Sequence, residues 1–253
     1  MTQDVRHIFF DVGDTLRITH KKPEHQLAAM RRAVEILGAD YSPEDFGEMI
    51  MERYEEYRSW ATKCWVELNE QDLWRKFLAP EYPQELVEEN AVELTFLLRQ
   101  FKGLRYVADN AMEVVQELTK RGYKLGIISN VITSRELPDW LEEDGFAPYF
   151  SPVVLSSLTG IRKPDPRIFQ IALDEAKIDP VYCAYIGDNV ERDMGGAAKV
   201  GFGMKILIDH KRAVDRSSFT PDTTPDAIIE SCLDLLDIFP EYPQVDPKSH
   251  AFS

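Results

Sequence analysis

Short runs of consecutive apolar residues recur along the chain. Between them lie longer stretches whose apolar positions fall three and four apart. The runs are HIFF (7–10), KLGIIS (124–129), PVVL (152–155), YCAYIG (182–187) and MKILI (204–208), with a weaker AII (227–229). They are rich in Ile, Val, Leu, Tyr and Phe, and several end at Gly, Asp or Ser. A strand with one wet face alternates apolar and polar residues. A strand covered on both faces has no reason to alternate, so these runs predict strands held between two layers. The intervening stretches supply the layers. From Ala111 to Lys120, apolar side chains at 111, 112, 114, 115 and 118 share one helical face, and Gly122 follows where a helix commonly ends. Ile168 to Ala176 has the same pattern. Strand alternating with helix predicts a parallel sheet of the α/β class.

Residues 20 to about 105 interrupt the alternation. No convincing strand pattern occurs there, and helix signals dominate. Ser42-Pro43-Glu44-Asp45 combines an N-cap hydroxyl, a first-position proline and a capping acid. Phe46, Met49, Ile50, Tyr54, Tyr57, Trp60 and Ala61 then follow at helical spacing. A second long helix is predicted from Pro83 to Gln100, with Gly103 beyond its end. The polar, proline-containing residues from about Pro240 are expected to form a loose tail.

Composition narrows the partners. The 253 residues are 44% hydrophobic and 29% charged, enough for a substantial core. The net charge of −15 would repel a phosphate backbone over most of the surface, so nucleic acid is not expected as a partner. With no apolar run of membrane-spanning length, no membrane partner is expected either. The N-terminus MTQDVRHIFF does not have the layout of a secretory signal. Cys64, Cys183 and Cys232 are scattered and odd in number, which argues against a disulfide framework or a zinc site. Reduced, mostly buried thiols and a cytoplasmic setting are the expectation.

In open α/β sheets, ligands bind beyond the carboxyl ends of the strands. Asp11 follows the first run, within DVGDTL. Ser129 closes the 124–129 run and Asn130 follows it. Asp188 follows YCAYIG, within GDNVERD, and Lys163 stands before Pro164-Asp165-Pro166 in GIRKPDPRIF. Carboxylates, short hydroxyl and amide side chains and one lysine are thereby expected on one rim.

In order, these four segments resemble the four motifs of the haloacid dehalogenase-like superfamily, and the helical insert falls at that family's cap position. The resemblance implies a Rossmann-like parallel sheet core flanked by helices (residues 1–19 and 106–253) with an inserted all-α cap domain (residues 20–105). It implies a phosphoric monoester hydrolase acting on a small phosphorylated metabolite. Asp11 would be the nucleophile, splitting one hard step into two through a covalent intermediate. Thr15 would position Asp11 or bind phosphate. Ser129 and Asn130 would contact the substrate. Lys163 would bind it too and neutralise charge on the transferring group. Asp11, the Gly13 carbonyl, Asp188 and Asp193 would hold Mg²⁺, a hard cation that takes few carboxylates.

The first motif departs from the family's phosphatases, which place a second acid where this chain has Gly13. That acid protonates the leaving oxygen and is worth about 10²–10⁴ in rate. Relatives that cleave carbon–halogen bonds also lack it, because a halide leaves without a proton. They tend to replace the first acid of the last motif, which this chain keeps as Asp188. Four acids on one rim, Asp11, Asp14, Asp188 and Asp193, would repel one another without a cation. Phosphoryl transfer is therefore favoured over dehalogenation, and a degenerate, non-catalytic binding protein is the reading from a different class. Beyond the nucleophile, Arg17, His20, Lys21 and Lys22 fit a solvated hinge better than a substrate-anion contact. The cap aromatics Tyr54, Tyr57, Trp60, Trp65, Trp74 and Phe77 fit a cap core better than a stacking site.

Overall fold

A computed structural model describes residues 4–241. Its main sheet has six parallel strands: β1 (His7–Phe10), β4 (Lys124–Ser129), β5 (Phe150–Leu155), β6 (Cys183–Gly187), β7 (Met204–Ile208) and β8 (Ala227–Ile229), in the order β5-β4-β1-β6-β7-β8. Each coincides with a predicted run to within two residues. Side chains alternate across the sheet. Ile8, Phe10, Leu125, Ile127, Ala184 and Ile186 enter one apolar cluster, while Phe9, Ile128, Cys183, Tyr185 and Leu207 enter another. Both faces are dry, which is why the runs do not alternate in polarity. The chain is α/β with a Rossmann-like core flanked by helices, among them α5 (Ala111–Lys120), α6 (Glu136–Glu143), α7 (Ser156–Thr159) and α8 (Pro166–Ala176).

Between β1 and α5 the chain leaves the sheet. It forms α1 (Pro23–Leu37), α2 (Pro43–Cys64), the short α3 (Glu70–Leu73) and α4 (Gln84–Lys102). Ser42 caps α2 as expected, its Oγ accepting the Asp45 amide at 3.0 Å. Pro83 is the N-cap of α4, and Gly103 ends that helix at φ 132, a conformation open to glycine. These helices enclose a third apolar cluster that includes Met30, Phe46, Tyr57, Trp74 and Leu94. Of the aromatics, Tyr54, Tyr57 and Trp74 are buried, whereas Trp65 is exposed. Cys183 and Cys232 are buried and Cys64 is exposed.

Two features were not legible in the pattern. Arg17–His20 (β2) pairs antiparallel with Leu104–Val107 (β3), so a two-stranded ribbon, separate from the main sheet, carries the chain into and out of the helices. Four residues of mixed exposure carry too little periodicity to announce a strand. The helical unit is also fastened to the core at a second place. Val66 and Ile161 form an antiparallel bridge, the Glu67 amide donates to the Gly160 carbonyl (3.0 Å), and the Arg162 amide donates to the Trp65 carbonyl (3.0 Å). The expected tail lies outside the described residues beyond Glu241. Within the described residues no helix is long and apolar enough to cross a membrane.

Candidate active site

The register of the sheet sets the site. Phe10 pairs with Ile127 on β4 and with Ile186 on β6, so the three central strands end side by side. Asp11 and Asp188, just past β1 and β6, and Ser129, the last residue of β4, therefore line one cleft of about 330 Å³. Asp11 Oδ1 accepts hydrogen bonds from Ser129 Oγ (2.8 Å) and Lys163 Nζ (2.9 Å). Among the described residues its other oxygen has no recorded donor. Burial raises the Asp11 carboxyl, but Lys163, Arg192 and Ser129 outweigh it, so the group sits below the usual carboxylate range. Asp11 is thus ionised, with one oxygen clamped.

Lys163 is almost fully buried. Besides Asp11 it meets Asp193 at 2.8 Å, the Ile128 carbonyl at 2.9 Å and the Tyr185 hydroxyl at 2.7 Å. A buried ammonium needs this many partners to remain charged. The loop that carries it is held by Asn130. That amide accepts from the Lys163 N–H (2.9 Å) and donates to the Lys163 carbonyl (3.1 Å), so it holds the lysine's backbone as well as lining the cleft.

Asp11, Asp188 and Asp193 each place a carboxylate oxygen within 4.8 Å of the others. Burial, then Asp193 and Asp11, push Asp188 up to about 7. Burial and Asp11 push Asp193 upward against the pull of Lys163. Asp193 Oδ2 also accepts the Asn189 amide at 3.0 Å. Two cations, Lys163 and Arg192, face three carboxylates, which leaves surplus negative charge, and the all-oxygen donor set suits a hard divalent cation. Gly13 lines the same cleft. Gly187 gives the close approach, because a Cβ there would stand 2.5 Å from the Asp193 carboxyl carbon.

One predicted residue does not join the others. Thr15 is buried, and its hydroxyl has no hydrogen-bond partner among the described residues. It does not line the cleft and does not reach Asp11. The tight turn after Asp11, in which Leu16 and Arg17 amides bond the Val12 carbonyl, carries it away. Of the four basic residues past the nucleophile, only Arg17 reaches the cleft. His20 and Lys22 instead pack on Tyr106.

The sequence reading missed several residues. Tyr185 lies inside a strand run, where it reads as core. Its hydroxyl donates to the Ile128 carbonyl (2.8 Å) and accepts from Lys163. Arg192 pairs with Asp188 at 3.4 Å, and an i, i+4 charge pair in GDNVERD was the available signal. Glu67, from the loop between α2 and α3, is buried. It accepts hydrogen bonds from Tyr57, from Ser156 (2.7 Å) and from Arg162, which is next to Lys163 in the chain.

Comparisons agree with this geometry. A model of the haloacid dehalogenase-like hydrolase family matches residues 5–201. Haloacid dehalogenase-like hydrolase domain-containing protein 3 of Bos taurus is 42% identical over 95 residues, 38% of this chain and 37% of that protein. The chain therefore matches little more than a third of that relative's length. A glyceraldehyde 3-phosphate phosphatase of Methanopyrus kandleri is 26% identical over 94% of this chain and 98% of its own. One from Pyrococcus abyssi is 31% identical over 78% and 79%. The fold matches a 2-haloacid dehalogenase of Pseudomonas syringae pv. Tomato with a TM-score of 0.67 at 23% identity, over 92% of this chain and 97% of that one. The family model spanning residues 5–201 shows that this chain, with its clamped aspartate after the first strand, belongs to the haloacid dehalogenase-like hydrolase family.

Proposed function

We propose that this protein is a magnesium-dependent phosphatase that cleaves small phosphate monoesters through an aspartyl-phosphate at Asp11. In this reading residues 1–19 and 106–253 form the catalytic core and residues 20–105 a helical cap. The observation that carries it is the Asp11 carboxylate, ionised and held by Ser129 and Lys163 through one oxygen. Attack on phosphorus by the other oxygen breaks the P–O bond to the leaving group, which departs as its anion and takes a proton from water. Water then cleaves the acyl phosphate, returning Asp11 and inorganic phosphate. Lys163 offsets charge as the phosphoryl group arrives. Asp11, Asp188 and the Gly13 carbonyl would hold Mg²⁺, with Asp193 beside them, and the ion would supply positive charge to the phosphoryl oxygens. Relatives named as phosphatases along most of the chain support phosphate esters as substrates. Three free cysteines accord with a cytoplasmic setting.

The test is phosphate release from p-nitrophenyl phosphate with Mg²⁺. Asp11→Asn is expected to lower turnover at least ~10³-fold in a folded protein, because an amide is a poor nucleophile. Excess chelator is expected to stop the wild type. Full activity in Asp11→Asn overturns the mechanism. A second reading, carbon–halogen hydrolysis, is favoured by one observation, the absence of an acid at Gly13. Turnover of a 2-haloacid that persists in chelator would select it.

A further inference from the structure

The cleft above Asp11 is walled on its far side by the ribbon and the helical unit, and that wall is cationic. Arg17 comes from β2, Arg58 from α2, Arg99 and Lys102 from the end of α4, and Arg105 from β3. Glu136 of α6 is the single acid that meets them in the cleft lining. It is shared three ways: Arg99 Nε at 2.6 Å, an Arg105 nitrogen at 3.4 Å and an Arg17 nitrogen at 3.7 Å. Lys102 forms no salt bridge among the described residues and instead lies over the Tyr54 ring at 3.7 Å. Among the described residues, Arg58 pairs with Glu55 alone, at 3.5 Å. This concentration of positive charge occurs in a chain of net charge −15, so the general composition does not produce it.

We propose that this cationic wall is a subsite for a second anionic group on the substrate, borne by the leaving alcohol at the end away from the phosphate cleaved at Asp11. The substrate class is then a small phosphate monoester whose alcohol carries a carboxylate or a further phosphate. The inference rests on the phosphatase reading above.

Geometry and charge agree. The phosphoryl site already has its own cations, Lys163 and Arg192, on the core side of the cleft. The cations on the other wall are surplus to a single phosphate. Burial, then Arg99, Arg58 and Arg105, push Lys102 down to about 7, as expected where cations outnumber the acid, Glu136, that they share. A carboxylate or phosphate placed there meets planar guanidinium donors suited to paired oxygens and an ammonium with no salt bridge to break. A cleft of about 330 Å³ accommodates a substrate of a few carbons.

The experiment uses matched pairs. 3-Phosphoglycerate and glyceraldehyde 3-phosphate differ by a carboxylate against an aldehyde. Propane-1,3-diol bisphosphate and its monophosphate differ by the second phosphate. Expected is a kcat/KM at least about 10²-fold higher for the doubly anionic member of at least one pair, and which pair shows it identifies the group. Lys102→Met keeps the stem packing on Tyr54 and is expected to cut that ratio at least 10-fold, mostly through KM. Calorimetric binding of the same pairs to Asp11→Asn reads the subsite without turnover. Equal kcat/KM within both pairs overturns the subsite and leaves the phosphatase reading standing. If no member is hydrolysed, the phosphatase reading falls. Absence of any binding preference in Asp11→Asn then overturns the subsite as well, and a retained preference supports it.

Discussion

The most telling perturbation is to restore an acid at position 13. An ideal Cβ on Gly13 meets no atom within 4 Å, and its backbone lies outside the left-handed region that favours glycine. Gly13→Asp therefore adds no clash or backbone strain, and its stability change should stay within about 1 kcal/mol. The new carboxyl would stand at the mouth of a site that already holds Asp11, Asp188 and, on the next residue, Asp14. Neighbouring negative charges favour its protonated form, the form that donates to a leaving oxygen. General acid catalysis is worth about 10²–10⁴ in rate, and a newly placed group should reach the lower end, about 10² or ~2.7 kcal/mol. The gain applies only where the leaving group needs a proton. An alkyl phosphate should gain about 10²-fold and p-nitrophenyl phosphate about 3-fold or less. The wild-type counterpart is a steep fall in the first step as leaving-group pKa rises. Both are measured by single-turnover quench kinetics across a series of esters, because slow hydrolysis of the acyl phosphate would hide the first step in steady state. A flat wild-type dependence would refute the reasoning, since another group would then be protonating the leaving oxygen. Asp14 is the named rival. It lines the same cleft at φ 51, with its carboxylate 3.2 Å from Lys211. Asp14→Asn would steepen the dependence if it fills that role.

Three other outcomes follow from the structure. Tyr185→Phe removes one of four partners of the Lys163 ammonium and should lower kcat about 10-fold with KM little changed, at about 1–2 kcal/mol in stability; steady-state kinetics and urea melts check both. Gly187→Ala drives a methyl against Asp193 at 2.5 Å, displacing a buried carboxylate that holds Lys163, and should cost more than about 2 kcal/mol by calorimetry together with most activity. His7 is buried, and burial with Lys124 nearby pushes it down to about 4, so below pH 6.5 the unfolded chain takes up a proton that the folded chain refuses. Stability should fall as the pH drops from 8 to 5, by about 2 kcal/mol from this group, and His7→Gln should remove that part of the slope in paired urea melts.

The hydrophobic pattern alone determined the sheet. A strand buried on both faces must be continuously apolar, so the six strands stood out, and the polar residues where they stop marked one rim. Asp11, Ser129 and Asp188 were visible for that reason, and Lys163 through the Pro-Asp-Pro that follows it, as was the helical interruption between residues 20 and 105. Periodicity, however, reports only which face a residue presents to its own element. It does not report what meets that face. Tyr185 looked like any core residue because six of its seven heavy ring and oxygen substituent positions are hydrocarbon, and only strand register brings its hydroxyl to Lys163. Thr15 was singled out by its match to the family's first motif, and only the tertiary structure shows the tight turn that leaves its hydroxyl buried and without a partner among the described residues. The loop at Glu67 reaches Arg162 across 95 positions, and the cations of the cleft wall come from four separate elements. Such convergences depend on how the helices dock over the sheet. Docking is decided by shape and side-chain packing between surfaces far apart in the chain, for which a linear pattern carries no signal.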